Sequence, residues 1–223
     1  MSRVDGRGYI RGVAAGAALL LLAGCGRGED GGGAAKALGK AEVASVLPDA
    51  KAVPGWRSLR APEAREPVPE YPPTVCLATT KEKRATACDG ITYWGVSAYV
   101  RKPDATSLDF WTLAYEDEQS AEAAYDALAE YYGGDRVGVG AKPVDIGEPG
   151  ADRVANRAGT GTMGGPATIT QLRVGTTVLG VSTGNRGRKA VPDQEVKALA
   201  AMFAERAQQA QNGEKPSSGL AGQ

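Results

Sequence analysis

The sequence contains no histidine among its 223 residues. Catalytic sites of the Ser-His-Asp and Cys-His types use an imidazole as the general base, so the sequence excludes both types. A zinc site normally has four ligands, and this chain offers no imidazole and only two cysteines after residue 25. We therefore predict that the protein has no metal site.

Motifs for other kinds of catalysis are also missing. The chain has neither an SxxK nor a GxSxG motif, which would mark a serine nucleophile. Glu116, Asp117 and Glu118 are adjacent, so their side chains do not converge on one face of a helix. We interpret these acids as a charged helix start, which the helix dipole favours. We therefore predict that the protein is not an enzyme and binds no cofactor, with a carboxylate-based hydrolase or transferase as the alternative.

An excess of either charge is missing as well. The chain has 26 basic and 26 acidic residues, so its formal net charge is zero. Nucleic-acid-binding proteins rely on clustered positive charge to hold the phosphate backbone. We accordingly predict no nucleic-acid partner.

The apolar run at residues 13–23 is short for a transmembrane helix, which needs about 20 apolar residues. It follows Arg3, Arg7 and Arg11, and a positive head before a short apolar run is the layout of a secretory signal peptide. Residues 1–24 are thus predicted to be a signal peptide. The alternative is a plain secreted protein with a fortuitous cysteine at the end of this run.

Residues 22–25, Leu-Ala-Gly-Cys, resemble the lipobox of bacterial lipoproteins. The resemblance implies that the Cys25 thiol carries a diacylglycerol and that the chain is cut just before Cys25. The protein would then be anchored to the lipid bilayer, on the outer face of the cytoplasmic membrane. Residues 25–39 would form a lipidated tether, which its glycine-rich start makes flexible.

The two remaining cysteines, Cys76 and Cys88, are predicted to form a disulfide, because such pairs oxidise outside the cytosol. The alternative, a free catalytic thiol, would lack a histidine base.

Apolar periodicity predicts one α+β domain over residues 40–212, followed by a disordered tail at residues 213–223. Its core is a mostly antiparallel twisted sheet of about 5–7 strands, packed by two main helices and a short N-terminal helix. The strands are predicted at residues 93–100, 107–115, 143–146, 152–156, 167–174 and 177–183. The helices are predicted at residues 40–47, 116–132 and 192–212. Residues 61–73 are rich in proline and are predicted to be an extended loop.

Residues 159–164 match the pattern GxGxxG, which is found in dinucleotide-binding loops. A true dinucleotide fingerprint lies between a strand and a helix, whose N-terminus holds the pyrophosphate. Here a predicted strand follows instead, so we predict no nucleotide ligand. The loop is interpreted as a hairpin tip that exposes Met163.

Aromatic residues provide the candidate binding surface. Strand alternation places Tyr93 and Tyr99 on the face of the sheet opposite Trp94. These tyrosines either pack beneath a helix or form the floor of a concave groove. Tyr93, Tyr99 and Met163 are our candidate ligand-binding residues.

The whole layout resembles actinobacterial lipoproteins and the extracytoplasmic sensor domains of receptor-type Ser/Thr kinases. The resemblance rests on the lipobox, on Val-Leu-Pro-Asp-Ala at residues 46–50, on Pro-Gly-Trp at residues 54–56, and on the cysteine pair. The helix with Leu-Ala-x-Met-Phe-Ala-x-Arg at residues 199–206 adds to it. The resemblance implies an α/β sandwich with a central cleft that binds a ligand.

Together these features predict an envelope lipoprotein that binds a ligand or a protein partner in a sensor-like manner. Two alternatives stay open. A pair of buried acids in a cleft would favour the carboxylate-based enzyme. A large exposed apolar patch without a cleft would favour a structural partner of a membrane complex.

Overall fold

The structure is a computed structural model. It describes residues 35–68, 73–77, 86–103, 105–133 and 136–221. The predicted signal peptide, the lipobox with Cys25 and most of the predicted tether lie outside the described residues. Within the described residues, no helix is long and apolar enough to cross a membrane.

The described residues form the helices α1 (Lys40–Val46), α2 (Thr74–Leu77), α3 (Glu118–Tyr132) and α4 (Asp193–Gln211). The strands are β1 (Arg57–Arg65), β2 (Ile91–Arg101), β3 (Thr106–Tyr115), β4 (Lys142–Pro143), β5 (Asp152–Ala158), β6 (Ala167–Val174) and β7 (Thr177–Gly184). All seven strands belong to one sheet with the order β1-β2-β3-β7-β6-β5-β4. Every neighbouring pair is antiparallel. The predicted α+β fold with a mostly antiparallel sheet is confirmed.

Local sequence explains where the helices begin and end. The Asp117 carboxylate accepts a hydrogen bond from the backbone N–H of Ser120 at 2.7 Å and so caps α3. The acids at residues 116–118 thus mark a helix start, as predicted. Glu42 reaches back to the backbone N–H of Gly39 at 2.7 Å and closes the first turn of α1. Leu47 is extended because Pro48 follows it, and this ends α1.

Helices α1 and α4 cover one face of the sheet, which we call the α1/α4 face. Its core contains a chain of edge-to-face aromatic contacts. The rings of Tyr99 and Phe110 lie 6.1 Å apart, and those of Phe110 and Phe203 lie 5.1 Å apart. All three side chains are buried. This packing fixes α4 against the central strands.

Helix α3 and the cysteine pair cover part of the opposite face, which we call the α3 face. Its core contains Leu113, Tyr115, Leu128 and Val178. Cys76 and Cys88 form a disulfide with their Cα atoms 6.0 Å apart, which confirms the predicted cross-link. The Tyr115 hydroxyl donates a hydrogen bond to the Ala87 carbonyl at 2.6 Å and so ties β3 to this segment.

Strand β1 corrects the expectation for the proline-rich segment. Residues 61–65, predicted to be loop, continue the strand that begins at Arg57. Pro62 is tolerated because β1 is an edge strand, and its pairing with β2 shifts register twice between Ser58 and Glu63. Proline is confined to such edges and bulges because it has no N–H to donate.

Both ends of the domain differ from expectation. Leu38, which was assigned to the flexible tether, is only 2% exposed and belongs to the core. The C-terminal segment, which was predicted to be disordered, returns to the domain: Leu220 donates its backbone N–H to Ala52 at 2.8 Å. The buried Arg206 guanidinium holds this segment by donating to the Ser218 carbonyl at 2.8 Å.

Candidate ligand-binding groove

A groove lies on the part of the α3 face that α3 does not cover. Strand pairing sets three small or polar residues in a row across its floor. Ala98 of β2 pairs with Asp109 of β3, and Asp109 pairs with Ser182 of β7. Directly paired residues of an antiparallel sheet project to the same side. Asp109 is exposed and the other two are half-buried, so the row is open to solvent.

The groove encloses about 340 Å³, a volume that suits a small ligand. Its described walls are mainly apolar, and they come from the sheet, from α2 and from the end of α3. The apolar and aromatic lining residues include Val75, Trp94, Val96, Trp111, Tyr132 and Ile169. Its polar lining includes Arg60, Asp109 and Ser182. A mainly apolar cleft with a few polar groups is the usual form of a small-molecule site.

Trp111 is positioned by a glycine on the next strand. It pairs with Gly180 of β7, and its indole ring lies directly over the Gly180 backbone. A Cβ atom at residue 180 would sit 1.8 Å from Trp111 Cε2, so only glycine leaves room for the ring. The indole ring therefore packs against the sheet, and it also lines the groove.

Trp94 and Tyr132 complete the aromatic lining. The Trp94 indole N–H is buried and has no hydrogen-bond partner among the described residues. The Tyr132 hydroxyl donates a long hydrogen bond of 3.4 Å to the Val75 carbonyl, which links α3 to α2. Burial, followed by the neighbouring Tyr131, raises the pKa of Tyr132 to about 12, so its hydroxyl stays neutral at physiological pH.

Asp109 is the one carboxylate among the described residues that line the groove. It forms no ion pair with any described residue. Solvent reaches its carboxylate, but the surrounding groove walls exclude enough water for burial to raise the pKa of Asp109. The positive charge of Arg60 lowers that pKa by a smaller amount.

The structure places the two predicted tyrosines away from the groove. Tyr99 is 0% exposed on the α1/α4 face, and its hydroxyl donates to the Pro48 carbonyl just after α1. Burial raises the pKa of Tyr99. Tyr93 is half-buried and packs against the core of the same face. Of the two roles considered for this pair, packing beneath a helix is the one observed. The idea that they floor a groove is corrected, because α1 occupies that side.

Met163 lies in the loop of residues 159–166, which joins β5 to β6. The predicted strand-to-strand connection is therefore what the structure shows for the GxGxxG segment. Met163 is 40% exposed, and its sulfur lies 3.6 Å from the Ser107 hydroxyl. Ser107 and Asp109 project from the same face of β3, so Met163 sits beyond the end of the groove and does not line it.

The acidic residues do not assemble into a reactive cluster in the described part of the chain. There, no three His, Cys, Asp or Glu side chains come together as metal ligands. Glu118 accepts a hydrogen bond from the backbone N–H of Ala35 at 2.7 Å, and Asp117 caps α3. Asp109 has no second acid beside it among the described lining residues. The acid pair that would favour the carboxylate-based enzyme is therefore not seen there.

Sequence reasoning missed Trp94, Trp111 and Asp109 as site residues. A signal was present at residue 109, where an acid interrupts a strand that is apolar on both faces. Nothing in the local pattern shows which face of β2 and β3 stays uncovered. That depends on where α3 and α2 pack, and it therefore needs the tertiary structure.

No protein-family model matches the chain, and no curated protein sequence matches it. Among solved structures, its fold is similar to the extracellular domain of PknH from Mycobacterium tuberculosis. The TM-score is 0.50 at 12% sequence identity, and the match covers 80% of this chain and 99% of that domain. At this identity the similarity concerns the fold.

Proposed function

We propose that this protein is an extracytoplasmic binding module of the cell envelope that holds a ligand in the groove on the α3 face. The observation that carries the proposal is the groove itself. It combines an open row of small and polar residues with aromatic walls and one carboxylate that forms no ion pair with any described residue. The similarity to an extracellular domain and the Cys76–Cys88 disulfide support a location outside the cytoplasm.

The anchor is the second part of the proposal. We infer from the lipobox-like residues 22–25 that Cys25 is acylated. Two acyl chains would then hold the protein stably at the membrane. Mass spectrometry of the N-terminal peptide from the native protein tests this directly. A diacylglyceryl-modified Cys25 is expected at the N-terminus. An unmodified chain that begins at Met1 would overturn the anchor.

Binding in the groove is tested with the full-length protein in detergent micelles. Trp94 and Trp111 line the groove, so their fluorescence reports its occupation. The protein is titrated with fractions of the cell envelope: polar lipids, soluble wall fragments and water-soluble small molecules. Saturable quenching or a spectral shift is expected with at least one fraction.

Two variants, each with one alanine replaced by tryptophan, show whether that signal comes from the groove. Ala98→Trp fills the floor of the groove beside Asp109 and should abolish the saturable change. Ala123→Trp changes an exposed residue of α3 and should leave it intact. Absence of saturable binding in every fraction, or equal binding by both variants, would contradict the proposal.

The other two candidate functions have less support. The carboxylate-based enzyme needs two cooperating acids, and the described groove lining supplies Asp109 alone. A structural partner of a membrane complex would be favoured by a large exposed apolar patch without a cleft, whereas the open part of the α3 face is a groove that contains the Asp109 carboxylate. Turnover of a wall or lipid substrate by the purified protein would support the carboxylate-based enzyme instead.

A further inference from the structure

The chemistry of the groove restricts what can occupy it. Asp109 stands on a central strand between Ala98 and Ser182, neither of which is charged. Any ligand that covers this floor removes water from the carboxylate. A buried carboxylate is costly unless a donor pairs with it. The occupant must therefore present a hydrogen-bond donor or a positive charge to Asp109.

The aromatic lining favours a positive charge over a neutral donor. Trp94, Trp111 and Tyr132 all line the groove. Aromatic rings attract cations through the negative potential of their faces, and tryptophan does so most strongly. The Trp111 ring packs over Gly180 and also lines the groove. The carboxylate and the rings thus select for the same charge.

Arg60 is the positive group that could oppose such a ligand. It belongs to the edge strand β1, and Ala98 of β2 separates it from Asp109 across the sheet. Its guanidinium is 3.8 Å from the Glu63 carboxylate, so its charge is partly compensated. Asp109 thus lies at the centre of the floor with no ion-pair partner among the described residues, and Arg60 is a partly compensated charge at the edge.

From this arrangement we infer that the groove on the α3 face binds a protonated amine carried on an apolar body, with the ammonium group at Asp109 and the apolar part against Trp94 and Trp111. This inference rests on the proposed function, because it names the ligand class of the same groove. The ammonium group pairs with the carboxylate, and the walls formed by Val75, Val96 and Ile169 receive the apolar part.

The test uses three probes that share a phenylethyl body and differ in the charge of their end group. They are 2-phenylethylammonium, the neutral 2-phenylethanol and the anionic 3-phenylpropionate. Each is titrated into the full-length protein in detergent, followed by tryptophan fluorescence and calorimetry, with protein-free micelles as the blank. Because a charge-assisted hydrogen bond is the stronger kind, the ammonium probe should bind roughly tenfold or more tightly than the alcohol.

Matched variants identify the groups responsible. Asp109→Asn keeps the shape but removes the charge, and it should weaken ammonium binding roughly tenfold while alcohol binding stays the same. Asp126→Asn removes an exposed charge from α3 and should change neither. Trp94→Leu removes one ring, whose N–H has no described partner, and should weaken the ammonium probe more than the alcohol.

The outcomes separate this inference from the proposed function. Equal binding of ammonium and alcohol, or stronger binding of the anion, would overturn the amine class. So would unchanged ammonium binding by Asp109→Asn. If an envelope fraction still binds and Ala98→Trp still blocks it, the groove remains a binding site for another class of ligand. If no envelope fraction binds and the ammonium probe shows no binding either, both proposals fail.

Discussion

The indole of Trp111 on β3 lies over Gly180 on β7, so closely that a single added methyl group would overlap the ring. This contact joins the sheet to the groove, because the same ring packs against the sheet and lines the groove. The glycine is needed for space, since no side chain fits between the β7 backbone and the indole. Stability and groove shape therefore depend on one pair of residues.

Gly180→Ala tests this contact. The new Cβ would lie 1.8 Å from Trp111 Cε2, so the ring must move and overpacking should cost about 1–3 kcal/mol of unfolding free energy. Gly184→Ala is the matched control on the same strand and face, because its nearest described neighbour would be 3.5 Å away. Urea denaturation measures both. Equal stability of the two variants would show that Trp111 relaxes freely.

Tyr99→Phe tests the role of the buried tyrosine. The Tyr99 hydroxyl donates to the Pro48 carbonyl, and its loss should lower the free energy of unfolding by about 1 kcal/mol. Ligand binding should not change, because Tyr99 lies on the α1/α4 face and the groove on the other. Tyr93→Phe, on the same face as Tyr99, should alter both properties less. A loss of ligand affinity in Tyr99→Phe would contradict this expectation and would indicate that Tyr99 contributes to binding.

Alternation predicted much of the sheet. Residues 167–174 are strand β6, as predicted, because a run rich in β-branched residues leads to the tight turn at Gly175. The pattern also separated the faces of β2 correctly, with Tyr93 and Tyr99 opposite Trp94. It could not tell which face remains open, because that is decided by long-range packing of α1 and α3. Helix α1 packs on the α1/α4 face, where Tyr93 and Tyr99 lie, and the groove lies on the α3 face, where Trp94 lies.

Proline and glycine content misled the prediction at the edges of the domain. Pro62 suggested a loop, but an edge strand with register shifts accommodates it. The polar tail suggested disorder, but Leu220 bonds to Ala52, which is distant in sequence, and the buried Arg206 holds Ser218. Both cases depend on contacts between distant parts of the chain, which local composition does not contain.

Arg206→Ala tests how the C-terminal segment is held. The guanidinium donates to carbonyls at the end of α1, namely those of Ser45, Val46 and Leu47, and to Ser218. Leaving these acceptors unpaired should cost roughly 2–4 kcal/mol, and hydrogen exchange at Leu220 should accelerate. Arg188→Ala removes an exposed arginine and should have little effect. Unchanged exchange at Leu220 in Arg206→Ala would contradict this role.

Removal of the disulfide should destabilise the α3 face. The cysteines are 12 residues apart, and a closed loop of that size stabilises a fold by about 3 kcal/mol in the chain-entropy model. The double variant Cys76→Ala, Cys88→Ala should lose about this much and become insensitive to reductant. Because Val75 beside the bridge lines the groove, ligand affinity should also fall. An unchanged denaturation midpoint would argue that the cross-link contributes little.

Ionised Asp109 is expected to reduce stability, because the groove walls partly shield its carboxylate from water. Burial raises its pKa in the folded protein, so the folded state resists ionisation more than the unfolded state does. The sign follows from proton linkage. Below the ordinary aspartate pKa of about 4, both states are protonated and there is no cost. As the pH rises through the raised folded pKa, ionisation lowers the stability of the fold.

Asp109→Asn should therefore be more stable than the native protein at neutral pH and equally stable near about pH 3. The gain should stay below about 1 kcal/mol, because solvent reaches and screens this carboxylate. Urea denaturation across this pH range measures the difference, with Asp126→Asn as the exposed control. The same Asp109→Asn substitution should weaken binding of the ammonium probe, so stability and affinity should change in opposite directions. A variant that loses stability at neutral pH would mean that the charge of Asp109 has a partner that holds the fold together.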